Sequence, residues 1–71
     1  MKYQIIECSV ELDGINYTSY GIGYVSAGTL LFVIKDLTLN RARVEKFVSL
    51  CNDLQLDPIH IDDAVEDFLA D

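Results

Sequence analysis

Three observations predict an α+β fold, a three-stranded antiparallel β-meander followed by two helices packed on one face. Residues 2–36 fall into three runs of alternating or strand-forming residues, separated by the glycine-bearing stretches Asp13-Gly14 and Ala27-Gly28. Beyond Asn40 the apolar spacing changes from two to three and four, the period of a helix. The chain is short, 71 residues, yet 51% hydrophobic, enough for one small core with apolar residues to spare. A single domain over 1–71 is expected, with strands at about 2–11, 16–25 and 29–36 and helices at about 39–53 and 58–70.

In the first strand Ile6, Cys8, Val10 and Leu12 face one way and Glu7, Ser9 and Glu11 the other. Two turns fit Leu12-Asp13-Gly14. A two-residue Asp-Gly loop pairs Leu12 with Ile15; a three-residue loop with Gly14 left-handed pairs Glu11 with Ile15. Only the longer loop places Ile6, Cys8 and Val10 on the face of Tyr20 and Ile22, so it is the expected one. The same reasoning at Ser26-Ala27-Gly28 pairs Tyr24 with Leu30, Ile22 with Phe32 and Tyr20 with Ile34. The other face then carries Tyr3, Ile5, Tyr17, Val25, Leu31 and Val33 around Gly21 and Gly23. This apolar face is a candidate contact between two copies of the chain.

Thr38 or Asn40 can cap the first helix, in which Val44, Phe47, Val48, Cys51 and Leu54 form one apolar stripe. Asp57 and Pro58 mark the start of the second, with Ile61, Ala64, Val65, Phe68 and Leu69 on its apolar side. A helix this short is marginal alone in water and needs the sheet or its neighbour as cover.

Charge is unevenly placed. Residues 1–52 hold five acids and five bases, residues 53–71 seven acids and no base, so the whole net charge of −7 lies in the C-terminal quarter. Nucleic acid and anionic membranes, which need a cationic surface, are disfavoured as partners. Two cysteines, Cys8 and Cys51, make no disulfide framework and read as buried thiols of a cytoplasmic protein. Neither a signal peptide nor a membrane-spanning run is expected.

Little in the chain points to chemistry. His60, Asp63 and Asp67 share one side of the last helix and form a weak candidate for a divalent ion, short of the ligands of a structural zinc or calcium site. Neighbouring acids such as Asp62-Asp63 and Glu66-Asp67 diverge by about 100° on a helix and do not converge on one substrate atom. Gly21-Ile22-Gly23 lies in mid-strand and lacks the helix start of a phosphate loop. No cofactor is expected, and the chain does not read as an enzyme.

The combination Tyr20-Gly21-Ile22, Asp36-Leu37-Thr38, Cys51-Asn52, Pro58-x-His60-Ile61 and Val65-Glu66-Asp67-Phe68-Leu69 resembles a family of short uncharacterised Firmicutes proteins, classed as a domain of unknown function. Its most specific part is the ending His-Ile-x3-Val-Glu-Asp-Phe-Leu. The resemblance implies a small cytosolic bacterial protein and supplies no activity.

The expected function is a small cytosolic interaction module that self-associates. Its expected contact residues are Tyr3, Ile5, Tyr17, Gly21, Gly23, Leu31 and Val33 on the sheet. Glu66 and Asp67 would face a basic protein, unless Lys35, Arg41 or Arg43 compensates them within the domain. The alternative is a metal- or small-ligand-binding regulator using the His60 face.

Overall fold

A computed structural model of the chain describes residues 2–70. Strands β1 (Lys2–Leu12), β2 (Ile15–Ser26) and β3 (Thr29–Thr38) form one antiparallel sheet in the order β1-β2-β3. Helix α1 (Arg41–Asp53), a 3-10 turn (Pro58–His60) and helix α2 (Ile61–Ala70) follow. The architecture is the α+β meander with two C-terminal helices that the periodicities predict.

The first hairpin turns through the two residues Asp13 and Gly14, at φ 53° and 78°, so Leu12 pairs with Ile15. Tyr3 then lies opposite Tyr24 and Ile5 opposite Ile22. This overturns the three-residue loop, and with it the placement of every β1 side chain. Tyr3 and Ile5, expected on the outer contact face, belong to the core side, where Tyr3 is 3% exposed. Ile6, Cys8 and Val10, expected inside, lie on the opposite face. The physical reason is the turn: Asp-Gly takes up the left-handed backbone of a two-residue hairpin at little cost, and its twist matches the strands.

The second hairpin also uses two residues, Ala27 and Gly28, at φ 52° and 78°. Val25 pairs with Leu30, then the register shifts, and Tyr24 pairs with Phe32 and Ile22 with Ile34. The expected pairs Tyr24–Leu30, Ile22–Phe32 and Tyr20–Ile34 are therefore each displaced. The irregularity after Leu30 restores Phe32 and Ile34 to the core side and leaves Leu30 outside, 47% exposed. A second shift, at which Asp36 takes φ 58°, brings Thr38 opposite Tyr20.

The core lies between the inner sheet face and the helices. Ile22 and Val44 are fully buried at its centre. Tyr3, Tyr24 and Phe32 run across the strands as a file of rings, 4.8 and 5.4 Å between successive centroids. Helix α1 lays Val44, Phe47, Val48 and Cys51 against them, while its Leu54 is exposed at the C-cap. Burial raises the pKa of the Cys51 thiol, which keeps it a neutral small hydrophobe.

Local chemistry fixes the helix ends. Asn40 caps α1 by accepting a hydrogen bond from the Arg43 N–H, and the Thr38 hydroxyl accepts one from the Asn40 N–H. At the other end Gln55 is left-handed, φ 50°, while the Leu56 N–H bonds to the Cys51 carbonyl and the Gln55 N–H to that of Asn52. This is a Schellman closure made without glycine. It turns Leu56 back to the core. Asp57 accepts from the Ile59 N–H, and Pro58 opens the 3-10 turn. His60 therefore ends that turn rather than lying within one continuous helix from 58 to 70. Ile61 and Val65 anchor α2; the Phe68 ring stacks on Phe47, 4.8 Å between centroids, while Leu69, expected in the core, is 57% exposed.

Candidate functional site: a protein-interaction surface

Both helices cover the same side of the sheet. The side left bare is the outer face, formed by even residues of β1 and odd residues of β2, with Leu30 and Val33 from β3. Its centre is apolar: Ile6, Val10, Tyr17, Val25, Leu30 and Val33 are partly or well exposed, and none belongs to the core cluster. At the hairpin tip Leu12 and Ile15 are 62% and 68% exposed. No ladder-paired residue of this face is acidic. The described acids lie instead on the helices, in the turns, on the inner side of β1 and at Asp36 in β3, where the register shifts.

The residues read as contacts from the sequence divide on this geometry. Tyr17 and Val33 lie on the outer face, half-buried, and Leu31 is exposed where the β3 register shifts. Tyr3 and Ile5 have gone to the core. Gly21 and Gly23 are on the outer face yet buried by their own neighbours. A Cβ on Gly21 would overlap the Ile34 carbonyl oxygen and lie 2.9 Å from the Lys35 Cα. A Cβ on Gly23 would meet the Ile6 and Leu30 side chains at 2.9 and 3.1 Å. These glycines let strand β3 and two side chains close in; they do not open a flat floor for a partner. The outer residues Ile6, Val10, Leu12, Ile15 and Leu30 escaped sequence reasoning. The Asp13-Gly14 turn, taken at its ordinary geometry, is the signal that finds those on the first hairpin.

Ser19 lies on this face opposite Cys8, and its buried hydroxyl has no hydrogen-bond partner among the described residues. Cys8 is half-buried, and both cysteines are free thiols.

The β1 edge adds a second feature. The Asn52 side chain clamps the outward backbone of Tyr3, accepting its N–H at 2.7 Å and donating to its carbonyl at 3.0 Å. One amide thus stands in for a neighbouring strand at that position. The Tyr3 hydroxyl donates to the Leu56 carbonyl at 2.9 Å; burial, then the nearby Cys51 thiol, push its pKa up to about 12.

The acids of α2 stand apart from the bases. Among the described residues the ion pairs are Arg41 with Glu45, 2.9 Å, and with Glu7, 3.4 Å. Arg43 lies over the Phe68 ring, 4.6 Å from its centroid, and donates to the Phe68 carbonyl at 3.0 Å. It therefore meets the carbonyl end of α2 and not Glu66 or Asp67, which are exposed. His60, Asp63 and Asp67 are exposed as well. Among the described residues no three His, Cys, Asp or Glu side chains come together as metal ligands. Among the described residues no helix is long and apolar enough to cross a membrane.

The fold is that of a small α+β domain whose sheet is covered by the helical core on one face and carries no acid at the paired positions of the other. The chain belongs to a family of unknown function, DUF6514, whose model matches residues 1–71. Neither a curated protein nor a solved structure matches it.

Proposed function

We propose that this chain is a small protein-interaction module that self-associates through the outer face of its sheet. The observation that carries the reading is the charge and cover of that face. It is apolar, has no acidic residue among its paired positions, and is left bare by both helices, in a chain of net charge −7. Two copies approaching by this side bring apolar surface together with no paired acids opposed. Three strands of this length cover on the order of 500 Å², toward the low end for a lasting interface, so the association is concentration-dependent.

The setting we infer is the cytoplasm of a Firmicutes bacterium, where the thiols stay reduced and the chain acts as a binding module rather than an enzyme. Basic proteins are a second class of partner. They are drawn by surplus acids, among them the exposed Glu66 and Asp67. Nucleic acid and anionic membranes fall outside the proposal.

Light scattering over a concentration series tests self-association. The wild type is expected to dimerise, and Val33→Glu to remain folded by circular dichroism yet monomeric. A wild type that stays monomeric at millimolar concentration overturns the reading.

A further inference from the structure

The two edges of the sheet are treated differently. The β3 edge is broken by two register shifts and by Asp36 at φ 58°, devices that blunt an edge against further pairing. The β1 edge is regular through all eleven residues of Lys2–Leu12, with no proline and no bulge. Its outward groups follow from Asn52. Because the Tyr3 N–H and carbonyl point away from β2 to reach that side chain, so do those of the alternate residues along the strand. At Glu7, Ser9 and Glu11 these groups meet no partner among the described residues, and all three residues are exposed.

We propose that this stretch of β1 docks an extended segment of another protein, one that alternates apolar and basic residues and adds as a fourth strand. Two halves of its chemistry are set by the register. Side chains of the incoming strand on the inner side fall beside Glu7, Ser9 and Glu11; those on the outer side fall beside Ile6, Cys8 and Val10. The first set calls for lysine or arginine, the second for valine- or isoleucine-like residues. Glu7 is partly engaged by Arg41, itself held by Glu45. Glu11 has no ion pair among the described residues and is the stronger anchor.

A second copy of β1 suits the edge less well. Antiparallel pairing about Glu7 sets Glu7 against Glu7, and pairing about Ser9 sets Glu7 against Glu11. Pairing about Cys8 avoids direct opposition but keeps two Glu7 side chains diagonal neighbours between two copies of charge −7. The outer-face contact leaves this edge open, so the two interactions are separate and their tests independent.

The probe is a fluorescein-labelled, acetylated and amidated heptapeptide, Val-Lys-Val-Lys-Val-Lys-Val, titrated by anisotropy. Its control has the same composition with the three lysines in one block. The alternating peptide is expected to bind at least tenfold more tightly. N-methylation of its alternate residues on the hydrogen-bonding edge is expected to abolish that advantage, leaving the protein untouched. Glu11→Gln is expected to weaken binding severalfold. Amide exchange at Glu7, Ser9 and Glu11 is expected to slow on binding. Equal binding of the two peptides reduces the effect to net charge and overturns the proposal. So does exchange protection of those three amides in the protein alone, which gives the edge to a second copy.

Discussion

The two faces of the sheet carry comparable numbers of apolar side chains and opposite consequences. On the inner face Tyr3, Ile22, Tyr24, Phe32 and Ile34 meet the helices, and Ile22 is fully buried. On the outer face Ile6, Val10, Val25, Leu30 and Val33 stand outside that core and remain partly or well exposed. Hydrophobic content alone therefore does not say where the core is. What decides is which face the helices reach, and that follows from the hairpin turns.

The sharpest way to break the comparison is to truncate one residue on each face. Ile22→Ala is expected to cost about 2–5 kcal/mol, since the cavity forms where the surroundings cannot collapse. Val33→Ala is expected to cost about 1 kcal/mol or less, because its half-exposed methyl groups leave little void. Urea unfolding, at a concentration where both variants are monomeric, reads the difference. Equal costs would mean that the outer face is packed as a second core.

The paired glycines test how the outer face is built. Gly21→Ala forces strand β3 away, because the new methyl group strikes backbone at Ile34 and Lys35. A cost of about 1–3 kcal/mol or more is expected. At Gly23 the obstacles are the ends of Ile6 and Leu30, side chains that can turn aside, so the loss is expected to be below about 1 kcal/mol. Thermal unfolding of the two variants orders them.

These positions also mark how far the sequence is legible. The element order, the α1 core stripe and the start at Asp57-Pro58 are plain in the periodicities, because helices reveal their buried side within two turns. The β1 register is not. Its apolar residues change parity at Ile5-Ile6: Tyr3 and Ile5 are odd, Ile6, Cys8 and Val10 even. Alternation favours the larger even set, and that set turns out to be the bare face. At Ala27 the left-handed backbone is held by a residue that does not advertise it. The irregularity after Leu30 then offsets the loop error for Phe32 and Ile34, but not for Leu30. The candidate surface was legible as an apolar outer face, and its membership on β1 was not.

Tyr3 sharpens the contrast through pH. A tyrosine in the unfolded chain ionises near pH 10, the buried Tyr3 near 12. Between these values the unfolded chain has given up a proton that the folded chain still holds. Stability from this group is full below pH 10, falls as pH rises toward 12 and changes no further above it. Tyr3→Phe, which loses the bond to the Leu56 carbonyl, is expected to cost about 1 kcal/mol at pH 7. Its disadvantage should shrink, or reverse, between pH 10 and 12 when urea midpoints are compared. A constant difference across that range would place the hydroxyl in solvent.

The smallest effect separates the acids of α2 from the bases around them. Glu66 and Asp67 lie toward the carbonyl end of the helix, where partial negative charge makes each unfavourable by about 0.3–1 kcal/mol at low salt. Compensation by a base within the domain would reverse that sign. The nearest candidate, Arg43, is committed to the Phe68 ring and carbonyl. It already offsets the helix end, and it makes no ion pair with either acid among the described residues. Lys46 shares a cleft with Arg43 and Asp67 without an ion pair, which leaves only a screened, longer-range attraction. The double variant Glu66→Gln with Asp67→Asn is therefore expected to be as stable as the wild type, or more stable by up to about 1 kcal/mol, and the gain should fade as salt is added. Loss of stability at low salt, restored to parity at high salt, would instead show that Lys46 or Arg43 holds Asp67 in the folded domain. In that case the α2 acids would be part of the fold and no longer free to meet a basic partner.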